Sequence, residues 1–194
     1  FNKNMSEFNK NHDNLSINFI LKGFTSILIG VYFLVAAYLI KFILDGFLID
    51  GNPMGMMSAE IIEILIIVIT FFLFLFSSLA LFFKGRRTAK KIHYKLWNEK
   101  TKAAFWKYLI GNLLLFCLLL FLLSKGHINY ITPFFLLFYG ILLFILKNKK
   151  RKDLLILSFI SILLGVLCIS IPMYWYSSLC ILGIAHISFG IVRQ

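Results

Sequence analysis

Two groups of residues in this apolar chain have types and spacing suited to chemistry. Glu60 and Glu63 are three apart, so on a helix they share one face, at the start of the second long apolar run. Such a pair could take up protons or cations, with Asp45, Asp50 or Lys41 as neighbours. Glu63 is the stronger candidate, being a turn deeper, and a carboxylate in hydrocarbon is costly enough to call for a reason. The simpler account is favoured: carboxylates at the interface, stabilised by water and the helix N-terminal dipole. His186, in Gly183-Ile184-Ala185-His186-Ile187-Ser188, lies within a turn or two of the end of the last apolar run. It could relay protons or hold a ligand between helices. A polar contact to a neighbouring helix is the more common role. Asn112 and the pair Ser77-Ser78 are read the same way, as interhelical hydrogen-bonding groups.

Little else offers a reaction. H-E-x-x-H, G-x-S-x-G, Walker A and G-x-G-x-x-G patterns are all missing. Cys117, Cys168 and Cys180 sit inside apolar runs without C-x-x-C spacing, and buried free cysteine acts as a small hydrophobe. The expectation is a protein with no catalytic residue, metal or cofactor.

What positions the candidate groups is the membrane. Of 194 residues 60% are hydrophobic and 14% charged, against about half and a quarter in a soluble domain. Runs of ~20 apolar residues suffice to cross the hydrocarbon. Six are expected, near 20–44, 60–83, 104–123, 130–146, 154–171 and 173–192, forming one all-α membrane domain. The run from Ile17 continues to about Leu44, too long for the apolar core of a signal peptide.

Basic residues set the orientation. The loop 84–103 and its continuation to Lys107 carry Lys84, Arg86, Arg87, Lys90, Lys91, Lys95, Lys100, Lys102 and Lys107. A second cluster holds Lys147, Lys149, Lys150, Arg151 and Lys152. With loops assigned alternately, these join Lys3, Lys10, Lys22 and Arg193 on one side, and only Lys41 and Lys125 face the other. The positive-inside rule then gives both ends of the chain in the cytoplasm. Topology and anionic lipid account for the net charge of +12 better than nucleic acid does. Between Thr88 and Lys107 an apolar side (Ala89, Ile92, Leu96, Trp97, Ala103) opposes Lys91, Lys95, Asn98 and Lys102, the pattern of a helix lying in the interface. This basic surface, with Arg86, Arg87, Lys90, Lys149, Lys150 and Arg151, is expected to bind anionic lipid or a partner.

Packing signals recur. Ser26-Ile27-Leu28-Ile29-Gly30-Val31 and Ser161-Ile162-Leu163-Leu164-Gly165-Val166 differ at one position, and Gly111 sits at a matching place in the third run. Small residues one turn apart allow close helix approach where lipid supplies no drive to associate. With Pro53, Pro133 and Pro172 near the external connections, the pattern suggests three related helical hairpins packed through Ser26, Gly30, Gly111, Ser161, Gly165, Gly183 and Gly190. In the last hairpin, Gly165, Pro172, Gly183 and Gly190 form G-x6-P followed by G-x6-G. This resembles the repeat unit of the HdeD family of small bacterial inner-membrane proteins. The resemblance covers about 35 residues, and the first two hairpins depart from it because Pro53 and Pro133 lie farther from their glycines. It implies six spans in the bacterial inner membrane and a link to acid resistance, and supplies no catalytic residues. The expected function is a non-catalytic membrane protein: a stress-related factor or an accessory subunit with a membrane partner or a second copy of itself. The alternative is a small transporter or channel using an intramembrane carboxylate, Glu63, with His186 as a further candidate.

Overall fold

The computed structural model describes residues 21, 23–48, 59–91, 99–145 and 153–192. Six α-helices follow one another: α1 Phe24–Leu48, α2 Ala59–Lys91, α3 Glu99–Ser124, α4 Ile128–Ile145, α5 Asp153–Ser170 and α6 Trp175–Val192. No strand occurs among the described residues. Most of the described part of each expected apolar run falls in one helix. Four helices, α1, α2, α3 and α6 with the short turn before it, are long and apolar enough to cross a membrane. At 18 residues each, α4 and α5 rise roughly 27 Å and are also apolar.

The turns follow local chemistry. Gly126 ends α3 with φ 70°, and two bonds close behind it: His127 N–H to Leu122 C=O at 2.9 Å and Gly126 N–H to Leu123 C=O at 2.8 Å. This is a Schellman cap, whose left-handed position suits glycine. Between α5 and α6, Pro172–Tyr174 forms a single 3-10 turn with proline at its start, where its missing N–H costs nothing.

Two expectations are corrected. The basic segment 84–103 is not a loop throughout: α2 runs unbroken to Lys91 and α3 begins at Glu99. Of Thr88–Lys107, residues 88–91 end α2 and residues 99–107 open α3, and residues 92–98 lie outside the described residues. Lys84, Arg86, Arg87, Ala89 and Lys90 favour helix, and one glycine among them costs only about 1 kcal/mol, so nothing stops α2 at the membrane surface. Nor are the three expected hairpins, α1 with α2, α3 with α4 and α5 with α6, the main packing units. The most extensive contacts join α1 to α6 and α4 to α5, whereas α5 and α6 meet thinly.

Both main pairs are antiparallel and closed by small residues. A Cβ built on Gly30 would lie 2.5 Å from the Gly183 carbonyl oxygen, and one on Gly183 would lie 2.9 Å from that of Gly30. In the other pair, a Cβ on Gly165 would meet the Leu137 side chain at 2.8 Å and its backbone nitrogen at 3.1 Å. Backbone cannot swing aside as a side-chain tip can, so added atoms must push the helices apart. Gly46, by contrast, has open space around it. Gly183→Ala and Gly165→Leu are expected to lower thermal stability in detergent by about 1–3 kcal/mol. Gly46→Ala and the lipid-facing Leu113→Ala should leave it nearly unchanged. Equal melting temperatures across all four variants would contradict this packing.

Candidate functional site

His186 is fully buried near the middle of the bundle, at 0% exposure. Its Nε2 lies 3.0 Å from the Tyr139 hydroxyl of α4, and its Nδ1 lies 3.4 Å from Ser26 Oγ of α1. Ser26 donates its own proton to the His186 carbonyl at 2.8 Å. One neutral assignment satisfies the geometry: Tyr139 O–H donates to Nε2, and Nδ1–H points to Ser26 Oγ, which still has a lone pair to accept with. Phe33 stacks on the imidazole with ring centroids 5.6 Å apart and meets Tyr139 edge-on at 5.4 Å. Phe135 stacks on Tyr139 in turn, at 5.9 Å. No carboxylate or cation is among these partners, so the cluster holds its polar groups uncharged.

The second helix pair shows what His186 replaces. Ser26 bonds the carbonyl of His186 as Ser161 bonds that of Leu136, at 2.8 and 2.7 Å. Gly30 faces the backbone nitrogen of Ile187 as Gly165 faces that of Leu137. Gly190 abuts Ile27 Cγ1 as Gly140 abuts Ile162 Cγ1, each at 2.6 Å from the built Cβ. By this correspondence His186 stands where the other seam has Leu136, also at 0% exposure. Tyr139 stands where α6 has Phe189. Packing at these positions is thus met by apolar residues. The two polar departures from the pattern are bonded to each other, and they tie α4 to the α1/α6 pair.

Other buried polar groups also join helices. Ser158 donates to the Gly140 carbonyl at 2.7 Å, and the Cys168 thiol to Ser178 Oγ at 3.1 Å. Ser78 donates to the Phe74 carbonyl within α2 and receives the Tyr108 hydroxyl of α3 at 2.8 Å. Asn112 corrects the expectation of an interhelical bond: its amide donates to the Tyr108 carbonyl one turn back on the same helix. Cys117, Cys168 and Cys180 are all unpaired thiols.

Glu63 is half-buried on the first turns of α2, and it is absent from the surroundings of His186, so the two candidates do not form one site. Glu60 lies in the same helix. Lys41 sits 4.5 Å over the Tyr176 ring, a cation–π contact between α1 and α6. Gly111 faces the Leu142 side chain of α4. Arg86, Arg87 and Lys90 are exposed along the end of α2, and Lys102 on the first turn of α3. Lys91 closes α2. Lys95, Lys149, Lys150 and Arg151, with Asp50 and Pro53, lie outside the described residues. Among the described residues, no three of His, Cys, Asp and Glu converge as a metal site would require.

Sequence reasoning missed Tyr139, Phe33 and Phe135. The signal for Tyr139 is a phenol in the middle of an apolar run, Phe134 to Ile145, where a hydroxyl needs a partner. Fold and site together define an all-helical protein with long apolar helices, held together internally by small residues and uncharged polar bonds. The chain matches no protein-family model, no curated protein and no solved structure.

The seam comparison makes the energetics testable. His186→Leu alone strands the Tyr139 hydroxyl in the core, and Tyr139→Phe strands Nε2. Each single change should cost about 0.5–1.7 kcal/mol, the range of interhelical hydrogen bonds in bilayers. The double variant should recover most of that loss, because removing both partners leaves nothing unsatisfied. Thermal or denaturant unfolding in detergent reads all three, and a double variant as unstable as the sum of the singles would refute the coupling.

Proposed function

We propose that this chain is a non-catalytic, six-span protein of the bacterial inner membrane, with both ends in the cytoplasm, acting as an HdeD-like stress-related factor or as an accessory subunit of a membrane complex. One observation carries the reading. Among the described residues, five of the six buried polar side chains (Ser26, Ser158, Ser161, Ser178 and His186) are engaged in bonds between helices. An ion or proton path needs polar groups free to exchange partners with cargo, and those groups are engaged in holding the bundle. Glu63 stands apart from His186, so the transporter alternative rests on the Glu63 carboxylate without that histidine.

The basic helix ends support the orientation. Arg86, Arg87, Lys90 and Lys102 project from the same end of α2 and α3, where anionic headgroups would hold them by about 1 kcal/mol per charge. The two seams, with their matched Ser, Ile and Gly positions, are read as copies of one packing unit. That unit pairs α6 with α1 as it pairs α4 with α5.

Three measurements test the proposal. Reporter fusions at both ends and at residue 95 should signal cytoplasm, and those at residues 52 and 126 the exterior; an exterior signal from either end would overturn the topology. Liposomes containing the protein should show no proton or cation flux by an entrapped dye, with wild type and Glu63→Gln alike. Flux from wild type that disappears in Glu63→Gln would replace this reading with the transporter. Gentle extraction from the native membrane should co-purify a stoichiometric protein partner or a second copy.

A further inference from the structure

A cavity of about 380 Å³ opens between α1, α2, α3, α4 and the 3-10 turn before α6. Its volume falls within the range of small-molecule sites. Along α1 its lining extends from Phe33 to Leu44, a depth of roughly 16 Å at the helical rise. The deep part is mostly apolar, walled by Phe33, Ala37, Leu119 and Phe135, and Thr70 of α2 adds one hydroxyl that already donates to the Ile66 carbonyl. Phe33 and Phe135 are also the rings packed on the His186–Tyr139 pair, so the cavity ends against the far side of that cluster.

Its other end, beside the α3–α4 and α5–α6 turns, differs in character. Asn129 and Thr132 lie there on the first turns of α4, with Pro172, Met173 and Trp175 opposite. Asn129 brings an amide that can both donate and accept, and Thr132 a hydroxyl. Pro133, one residue beyond Thr132 and inside α4, has no N–H to return to the Asn129 carbonyl, so that oxygen lacks its helical donor. Among the described residues, no Asp, Glu, Lys, Arg or His lines the cavity.

A long apolar chamber with hydrogen-bonding groups at one mouth and no charge selects its ligand by three criteria. The ligand must have one slender apolar chain, because two acyl chains exceed the volume. Its head must be uncharged, because the lining would leave an ion unpaired in a low dielectric at prohibitive cost. That head must also both donate and accept, as a hydroxyl does. We propose that the cavity binds one uncharged, hydroxyl-bearing single-chain lipid of the monoacylglycerol type. The head sits at Asn129 and Thr132, and the chain runs toward Phe33 and Phe135.

Trp175 lines the mouth and reports the test. Trp97→Phe with Trp106→Phe leaves Trp175 as the sole tryptophan, and this variant is placed in phosphatidylcholine nanodiscs. Monoacylglycerol brominated on its chain should quench Trp175 saturably, at a mole fraction at least tenfold below that needed by brominated phosphatidylcholine. Ala37→Phe should abolish the saturable phase by filling the chamber. Asn129→Leu with Thr132→Val should raise the half-saturation at least fivefold; Asn129 is exposed and Thr132 half-buried, so this second variant keeps the test decisive if the first does not fold. Quenching proportional to mole fraction for both lipids alike, or curves unchanged by the mouth substitutions, would overturn the proposal, since the cavity would then hold only bulk lipid. Equal saturable quenching by ionised brominated stearate would overturn the assignment of an uncharged head.

Discussion

Backbone-to-backbone approach at Gly30 and Gly183 is the contact on which the bundle depends. In a bilayer, burying leucine against leucine gains little over leucine against lipid, so helices associate through close packing and hydrogen bonds. Both need the axes near each other. Glycine removes the side chain that would hold them apart, and the serine one turn away then reaches across to a carbonyl. Ser26 with Gly30, and Ser161 with Gly165, each supply both parts. Once these two pairs are locked, α2 and α3 need only fill the remaining side. Many of their apolar side chains accordingly remain exposed, among them Ile64, Phe71, Leu113 and Phe121.

The His186 cluster is best understood as an addition to that scheme. A seam of the same shape exists with Leu136 in place of histidine, so imidazole is not demanded by volume. What it provides is a directional bond to a third helix. Tyr139 reaches Nε2 from α4, and Phe33 and Phe135 exclude other partners by enclosing both rings. A neutral imidazole uses one nitrogen as donor and one as acceptor, which matches a serine on one side and a phenol on the other. The same aromatic pair closes the inner end of the apolar cavity. Packing around a ligand in that cavity and the geometry of the cluster therefore share two side chains.

The correction at the basic segment has a simple cause. Charge patterning reports which side of the membrane a residue occupies, but not whether the backbone there is helical. Lysine, arginine and alanine propagate a helix well, α2 has no proline beyond Phe83, and Gly85 alone does not end it. Among the described residues, the basic groups of this segment lie at the C-terminal end of α2 and the N-terminal end of α3. They do so on extended helix ends, with Arg86, Arg87 and Lys90 along one exposed turn.

Hydropathy in the sequence was enough to mark the six helices of the described residues and their approximate limits, because an apolar run long enough to cross hydrocarbon is a property of each segment by itself. The turns at Gly126 and Pro172 were equally legible, being local backbone chemistry. So were the small residues at helix contacts, since a Ser-x-x-x-Gly spacing marks a close approach whatever the partner. Which helix approaches was decided only in three dimensions. A smooth face on α1 fits α6 or α2 equally well until the seam's serine finds its carbonyl, and the proline-marked connections pointed to α1–α2, α3–α4 and α5–α6, whereas the main pairs are α1–α6 and α4–α5. The same holds for Tyr139 and His186, 47 residues apart. It holds too for a cavity whose walls come from five helices: neither exists in any single segment, so no pattern within one could display it.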